Sequence, residues 1–227
     1  MQPYFAPYIG YFQLFKEVDI LVLTDDYEYS KGGWINRNRI LNDRDIRFIT
    51  LPLEASSDYL TIRERLISKE FSPKKSLNLI EDSYRNRPYF PENFPQVESI
   101  LRYPERNLSK FLLNSLTEFS LSLEIQTRIV LTSDLNLDPN LSGQDKILSI
   151  SKDIGADEYI NLPGGKSLYD EDSFNEQGIS LKFLNVSSVT YEQGIDVFVP
   201  NLSIFDVLFN LGKEVTIKSM LRSYTVV

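Results

Sequence analysis

Two residue types are missing altogether: the 227-residue sequence holds no cysteine and no histidine. Without cysteine there are no disulfides, thiolate metal ligands or thiol nucleophiles. Without histidine, imidazole triads, histidine general bases and most zinc sites are excluded. A positive balance is missing too. Lys and Arg total 24 against 32 Asp and Glu, a net charge of −8. A general polyanion binder needs a basic footprint, so nucleic acid is not an expected partner, although a local basic pocket is allowed. No apolar run approaches the ~20 residues of a membrane span, and no secretory apolar region follows Met1. The expectation is a cytoplasmic chain with no membrane span. What is present is globular composition, 42% hydrophobic and 25% charged, with chemistry left to Asp, Glu, Lys, Arg, Tyr and the hydroxyl and amide residues.

Strand and helix signals alternate along most of the chain. Prolines 3 and 7 hold the start extended or turning. From Gly10, the spacing of Tyr11, Leu14, Phe15 and Val18 predicts a short helix. Ile20–Thr24 reads as a buried strand ending at Asp25-Asp26, where α/β proteins place functional groups. Further strands are expected at 46–51, 126–131, 158–162 and 179–184. Helices are expected at 73–85, 108–121, 144–155, 170–177 and 203–211. Tyr89–Pro95 reads as a turn, and 216–227 is weakly patterned. The pattern implies one α/β domain over 1–227, with a Rossmann-like, mostly parallel sheet covered by helices on both faces and a helical excursion at about 62–121.

Several constellations point to chemistry. In Gln2-Pro3-Tyr4…Pro7…Gly10-Tyr11, Gly10 would let the backbone approach a ligand, and the helix behind it would offer N–H groups to an anion. An aromatic corner packed in the core explains the same residues. The outline is similar to the Phe-x-Pro…Gly-His segment of nucleotidylyltransferases, with Tyr11 near the histidine position. Asp25-Asp26 with Lys31, Trp34 and the run Asn36-Arg37-Asn38-Arg39 could join a base to bidentate anion binding. Solvated or mutually paired charges are the plainer explanation. Gly164-Gly165-Lys166 follows a strand but lacks the upstream glycine of a P-loop; its amides could still face an anion. Asp206 reads chiefly as a capping-box partner of Ser203.

Taken together, these segments resemble the WbqC-like family. The matching pieces are Gln2-Pro3-Tyr4-Phe5…Gly10-Tyr11-Phe12, Asp25-Asp26, Gly33–Ile40, Tyr159-Ile160-Asn161…Gly164-Gly165-Lys166…Tyr169-Asp170 and Phe198-Val199-Pro200…Asp206. The family often carries a short β-strand before the Gln-Pro, whereas this sequence starts at Met1 just ahead of it. Members occur among bacterial genes for O-antigen (lipopolysaccharide) and other surface polysaccharides, and some are labelled acyl or aminoacyl (glycine) transferases acting on amino sugars.

The resemblance implies a transferase acting on the amine of a nucleotide-linked amino sugar. Arg37, Arg39 and Lys166 would hold phosphates, and Asp25 or Asp26 would take the amine proton. Tyr11 and Trp34 would stack on a base or sugar, with Tyr11 also a candidate base. Gln2, Tyr4, Gly10, Lys31, Asn36, Asn38, Gly164, Gly165 and Tyr169 would complete the substrate site. No cofactor or metal is assigned, and homo-oligomerisation is left open. A nucleotidyltransferase- or ligase-type enzyme and a non-catalytic binding module of a biosynthetic complex are the competing readings.

Overall fold

Ile20–Leu23 (β1) forms a strand because four consecutive branched or leucyl side chains can be buried on both faces. Its partner is distant in sequence: Arg128–Leu131 (β4) lies parallel to it, from Ile20 opposite Arg128 to Leu23 opposite Leu131. Arg37–Asn42 (β2) and Asp45–Thr50 (β3) make an antiparallel hairpin. Glu158–Asn161 (β5) runs parallel to Ser180–Val186 (β6), and Tyr224–Val226 (β7) adds antiparallel to β6. The computed structural model describes residues 1–187 and 190–227.

The fold is therefore mixed α/β with small sheets, two of which contain parallel pairs. One continuous parallel sheet is not what the strands form. The edges of β1 and β5 face each other across a groove of about 240 Å³. Among the described residues no backbone hydrogen bond crosses it. Ile20 and Val22 turn their backbone groups toward this groove; Val22 C=O accepts the Met1 amine and Thr24 N–H donates to Met1 C=O. Burial lowers the pKa of that amine to about 6.

Seven helices complete the described chain. Ile9–Glu17 (α1), Leu108–Ser122 (α4) and Ile204–Lys218 (α7) meet in an aromatic core, where Phe119 lies 6.0 Å from Phe12 and 5.8 Å from Phe205 between ring centroids. The stripe Leu108, Phe111, Leu112, Ser115, Leu116 and Phe119 is buried, as its period requires. Pro73–Tyr84 (α2) and Phe90–Leu101 (α3) cover the flank, and Gly143–Asp153 (α5) and Glu171–Glu176 (α6) flank β5 and β6 in the chain. The expected turn at 89–95 is instead the start of α3. Pro91 falls in the first turn, where its missing N–H costs nothing, and Asn93 Nδ2 ties the turn to Tyr89 and Leu208 carbonyls. The weakly patterned tail is ordered too, because α7 continues past a break at Gly212 and leads to β7.

Candidate functional site

The ends of β1 and β4 place four oxygen-bearing residues together. Asp25 is 1% exposed. Its carboxylate accepts from the Ser133 N–H at 3.1 Å, the Ser133 hydroxyl at 2.9 Å and the Ser109 hydroxyl at 3.0 Å. Thr132 Oγ1 lies 3.2 Å from Asp25 Oδ1 and 2.6 Å from Asp26 Oδ1. A hydroxyl has one proton, and the shorter contact takes it. Asp25 is thus saturated by the chain itself, which corrects its expected role as a base: it fixes the turn that presents its neighbour.

Asp26 is the available carboxylate. Its other oxygen accepts from Lys146 Nζ at 2.6 Å, and the two side chains are 20% and 11% exposed. Burial pushes the Asp26 carboxyl up, but the bonds from Lys146 and Thr132 together outweigh it and hold the group below its ordinary value. Lys146 Nζ also lies 4.6 Å from the Tyr27 ring centroid. Lys146 sits in the first turn of α5, and the Asp170 N–H donates to the side chain of its neighbour Gln144 at 2.6 Å, tying α5 to the chain after β5.

At the end of β5 the motif residues interlock. The Tyr159 and Tyr169 hydroxyls are 3.1 Å apart, and Asn161 Nδ2 donates to them at 3.1 and 3.2 Å. A Cβ on Gly165 would stand 2.7 Å from that Nδ2, so only glycine lets the turn close over Asn161. Burial, then the nearby Tyr169, raises the Tyr159 hydroxyl well above its usual pKa. Burial, then Asp26 and Tyr169, raises Tyr27 likewise. These phenols keep their protons at neutral pH. Two hydroxyl protons serve one mutual bond, which leaves one proton to offer.

The other expected residues divide into three groups. Trp34, Tyr4, Asn38 and Arg39 line a cavity of about 250 Å³ with Tyr8 and Asn201. Trp34 stacks on Phe48 at 6.4 Å, and the Arg39 guanidinium lies 5.3 Å from the Trp34 ring. Arg39 Nη2 holds the carbonyls of Pro200 and Asn201 at 3.4 and 3.1 Å, while its buried Nε–H has no acceptor among the described residues. A second group is absorbed by the fold. Asn36 bonds Tyr29 and the Leu51 carbonyl. Asn38 donates to the carbonyls of Phe5 and Ala6, the latter at φ 42°. Asn36, just before β2, and Asn38 within it are buried while Arg37 and Arg39 stand further out, which explains the alternating run.

Tyr11 is the clearest correction. It is 1% exposed, its hydroxyl donates to the Gln2 carbonyl, and its ring packs against Tyr4 and Phe12. Burial, then Tyr4, raises its pKa well above the usual phenol value. It has neither a free face for stacking nor the acidity of a base. Gly10 is needed because the Tyr8 ring crosses the helix start, 2.4 Å from where a Cβ would stand.

A third group lies on the surface, outside the hydrogen bonds of the Asp26 cluster. Lys31 pairs with Asp58 at 2.6 Å, Arg37 binds the carbonyls of Gly32 and Gly33 and covers Phe48, and Lys166 lies 6.0 Å from the Phe183 ring. Gly164 is exposed, with open space where a Cβ would stand. Lys146, Thr132 and Ser133 were not singled out from sequence. The only signal was their position at a strand end and a helix start.

A family model described as the WbqC-like protein family matches residues 2–217. A protein of Mycobacterium tuberculosis, Rv1507c, described as uncharacterized, is 30% identical over 220 residues, covering 94% of this chain and 93% of its own length. No solved structure matches the chain.

Proposed function

Because the chain belongs to the WbqC-like protein family, we propose that it is an acyl- or aminoacyltransferase working on the amine of a nucleotide-linked amino sugar in O-antigen or other surface-polysaccharide synthesis. The observation that carries this reading is Asp26: an ionised, partly accessible carboxylate gripped by Lys146 and Thr132 beside phenolic donors, at the ends of parallel strands. The same reading takes the β1–β4 and β5–β6 ladders, which no backbone bond joins among the described residues, as two halves of a Rossmann-like arrangement.

In this reading the sugar ammonium approaches Asp26 and gives up a proton to it or through it to water. The freed amine lone pair attacks the donor carbonyl, forming the C–N bond. The C–X bond breaks, its electron pair leaves with X, and the second proton shed by the nitrogen ends on X. In this reading the spare Tyr159 or Tyr169 O–H and the Lys146 ammonium stabilise developing negative charge. Arg39 and Trp34 would hold an anionic group and a ring face in the neighbouring cavity.

The test is a mass-spectrometric assay of purified protein with a panel of nucleotide-linked amino sugars and acyl-thioester or aminoacyl donors. The expected product is heavier than the sugar by the acyl group. Asp26→Asn should lower the rate by about 10²-fold or more, and Lys146→Met should lower it too, each assayed well below its own circular-dichroism melting temperature. Parental rates in both variants would overturn this role for the pair.

A further inference from the structure

A cavity larger than the two already described lies away from the Asp26 bonds. It encloses about 570 Å³ between the start of α1, the end of β6 and the segment 191–202. Its walls are mainly apolar, with Ile9, Phe198 and Leu202 among them, and no described lining residue is charged. Two features of this space are unfinished. The N-cap and first residue of α1, Tyr8 and Ile9, line it; the helix start has no side-chain cap, and although the Tyr11 N–H bonds the Tyr8 carbonyl, those of Ile9 and Gly10 find no acceptor among the described residues. One turn further, Gln13 also lines it and is 0% exposed. Its Nε2 donates to the carbonyls of Met220 and Ser223 at 2.7 and 3.2 Å, which fixes the orientation of the amide. Its Oε1 is buried and has no donor among the described residues. An unmet acceptor of this kind is costly unless something supplies a hydrogen.

We propose that this cavity binds an uncharged secondary amide with apolar flanks, its carbonyl on the first N–H groups of α1 and its N–H on Gln13 Oε1. A –CO–NH– group offers one acceptor and one donor, the complement of what the walls lack. A carboxylate meets the helix start but would face Gln13 Oε1 with another acceptor, and no lining cation compensates it. An ammonium meets Gln13 but finds no lining carboxylate. The apolar walls suit the flanking carbon groups. This site does not depend on the transfer reaction proposed above.

Titration followed by amide-resolved NMR and calorimetry tests it with N-benzylacetamide, benzyl acetate and phenylacetate. The amide should saturate and shift the backbone signals of Ile9 and Gly10. The ester, which lacks the N–H, and the carboxylate should bind about tenfold or more weakly. Ile9→Pro deletes one donor at a position where proline suits a helix, and Tyr8 is already extended (φ −72°, ψ 167°). That variant should bind the amide about tenfold more weakly with a nearly parental melting temperature. Asp26→Asn should bind it as the parent does. Equal binding of amide and ester, no saturable shift at Ile9 and Gly10, or parental binding in Ile9→Pro would each overturn the proposal.

Discussion

Asp26 stays ionised in a partly buried corner because two donors approach it from opposite elements. Its carboxyl is held below the ordinary aspartate value of 3.8, so the folded state binds its proton less readily than the unfolded chain does. The stability contributed by this group is present above the unfolded value and lost as pH falls through the lower folded value. Acid titration of folding should therefore show a decline below about pH 4 that is shallower in Asp26→Asn. An unchanged slope would mean that the Lys146 and Thr132 bonds add no net preference for the charged form. The acid pair and its place at a strand end were legible in the sequence; the division of labour between the two was not. Asp25 is the support only because Ser109 and Ser133, 84 and 108 positions away, saturate it. Lys146 reads as a solvated lysine on the polar side of α5, and only folding across 120 positions gives it a partner.

Elements carried by local rules were the easiest to read. The period of α4 and the continuous apolar run of β1 each state their structure within a few residues. Those decided by tertiary contact were not. Gly212 looked like a helix end, yet α7 resumes beyond it, because the break is fitted around Tyr89 at the start of α3. Its φ of 73° and ψ of 172° lie in a region open essentially to glycine, and a Cβ would stand 2.6 Å from the Tyr89 ring. Gly212→Ala should cost about 1–3 kcal/mol from the backbone alone, read as a lower urea midpoint at unchanged slope. A parental midpoint would show that the break can relax.

For the whole molecule, alternation of elements announced α/β architecture but not how the strands join. Pairing is a long-range choice, and here β1 stops at a groove instead of bonding β5. Residues 20 and 22 of β1 face that groove. The Ser180 N–H bond to Asp157 turns 158 and 160 of β5 the same way. The amides of Val22 and Ile160 should then exchange hydrogen about tenfold or more faster than those of Leu23 and Tyr159, which face paired strands. Equal protection would mean that the groove is closed in solution. Another long-range attachment has a practical use. The sole tryptophan lies under the guanidinium that clasps the carbonyls of Pro200 and Asn201, and Asn201 borders both the aromatic cavity and the larger apolar one. A single indole therefore stands in the wall of the smaller chamber, so its emission colour and quenching can report occupancy of that chamber without a label.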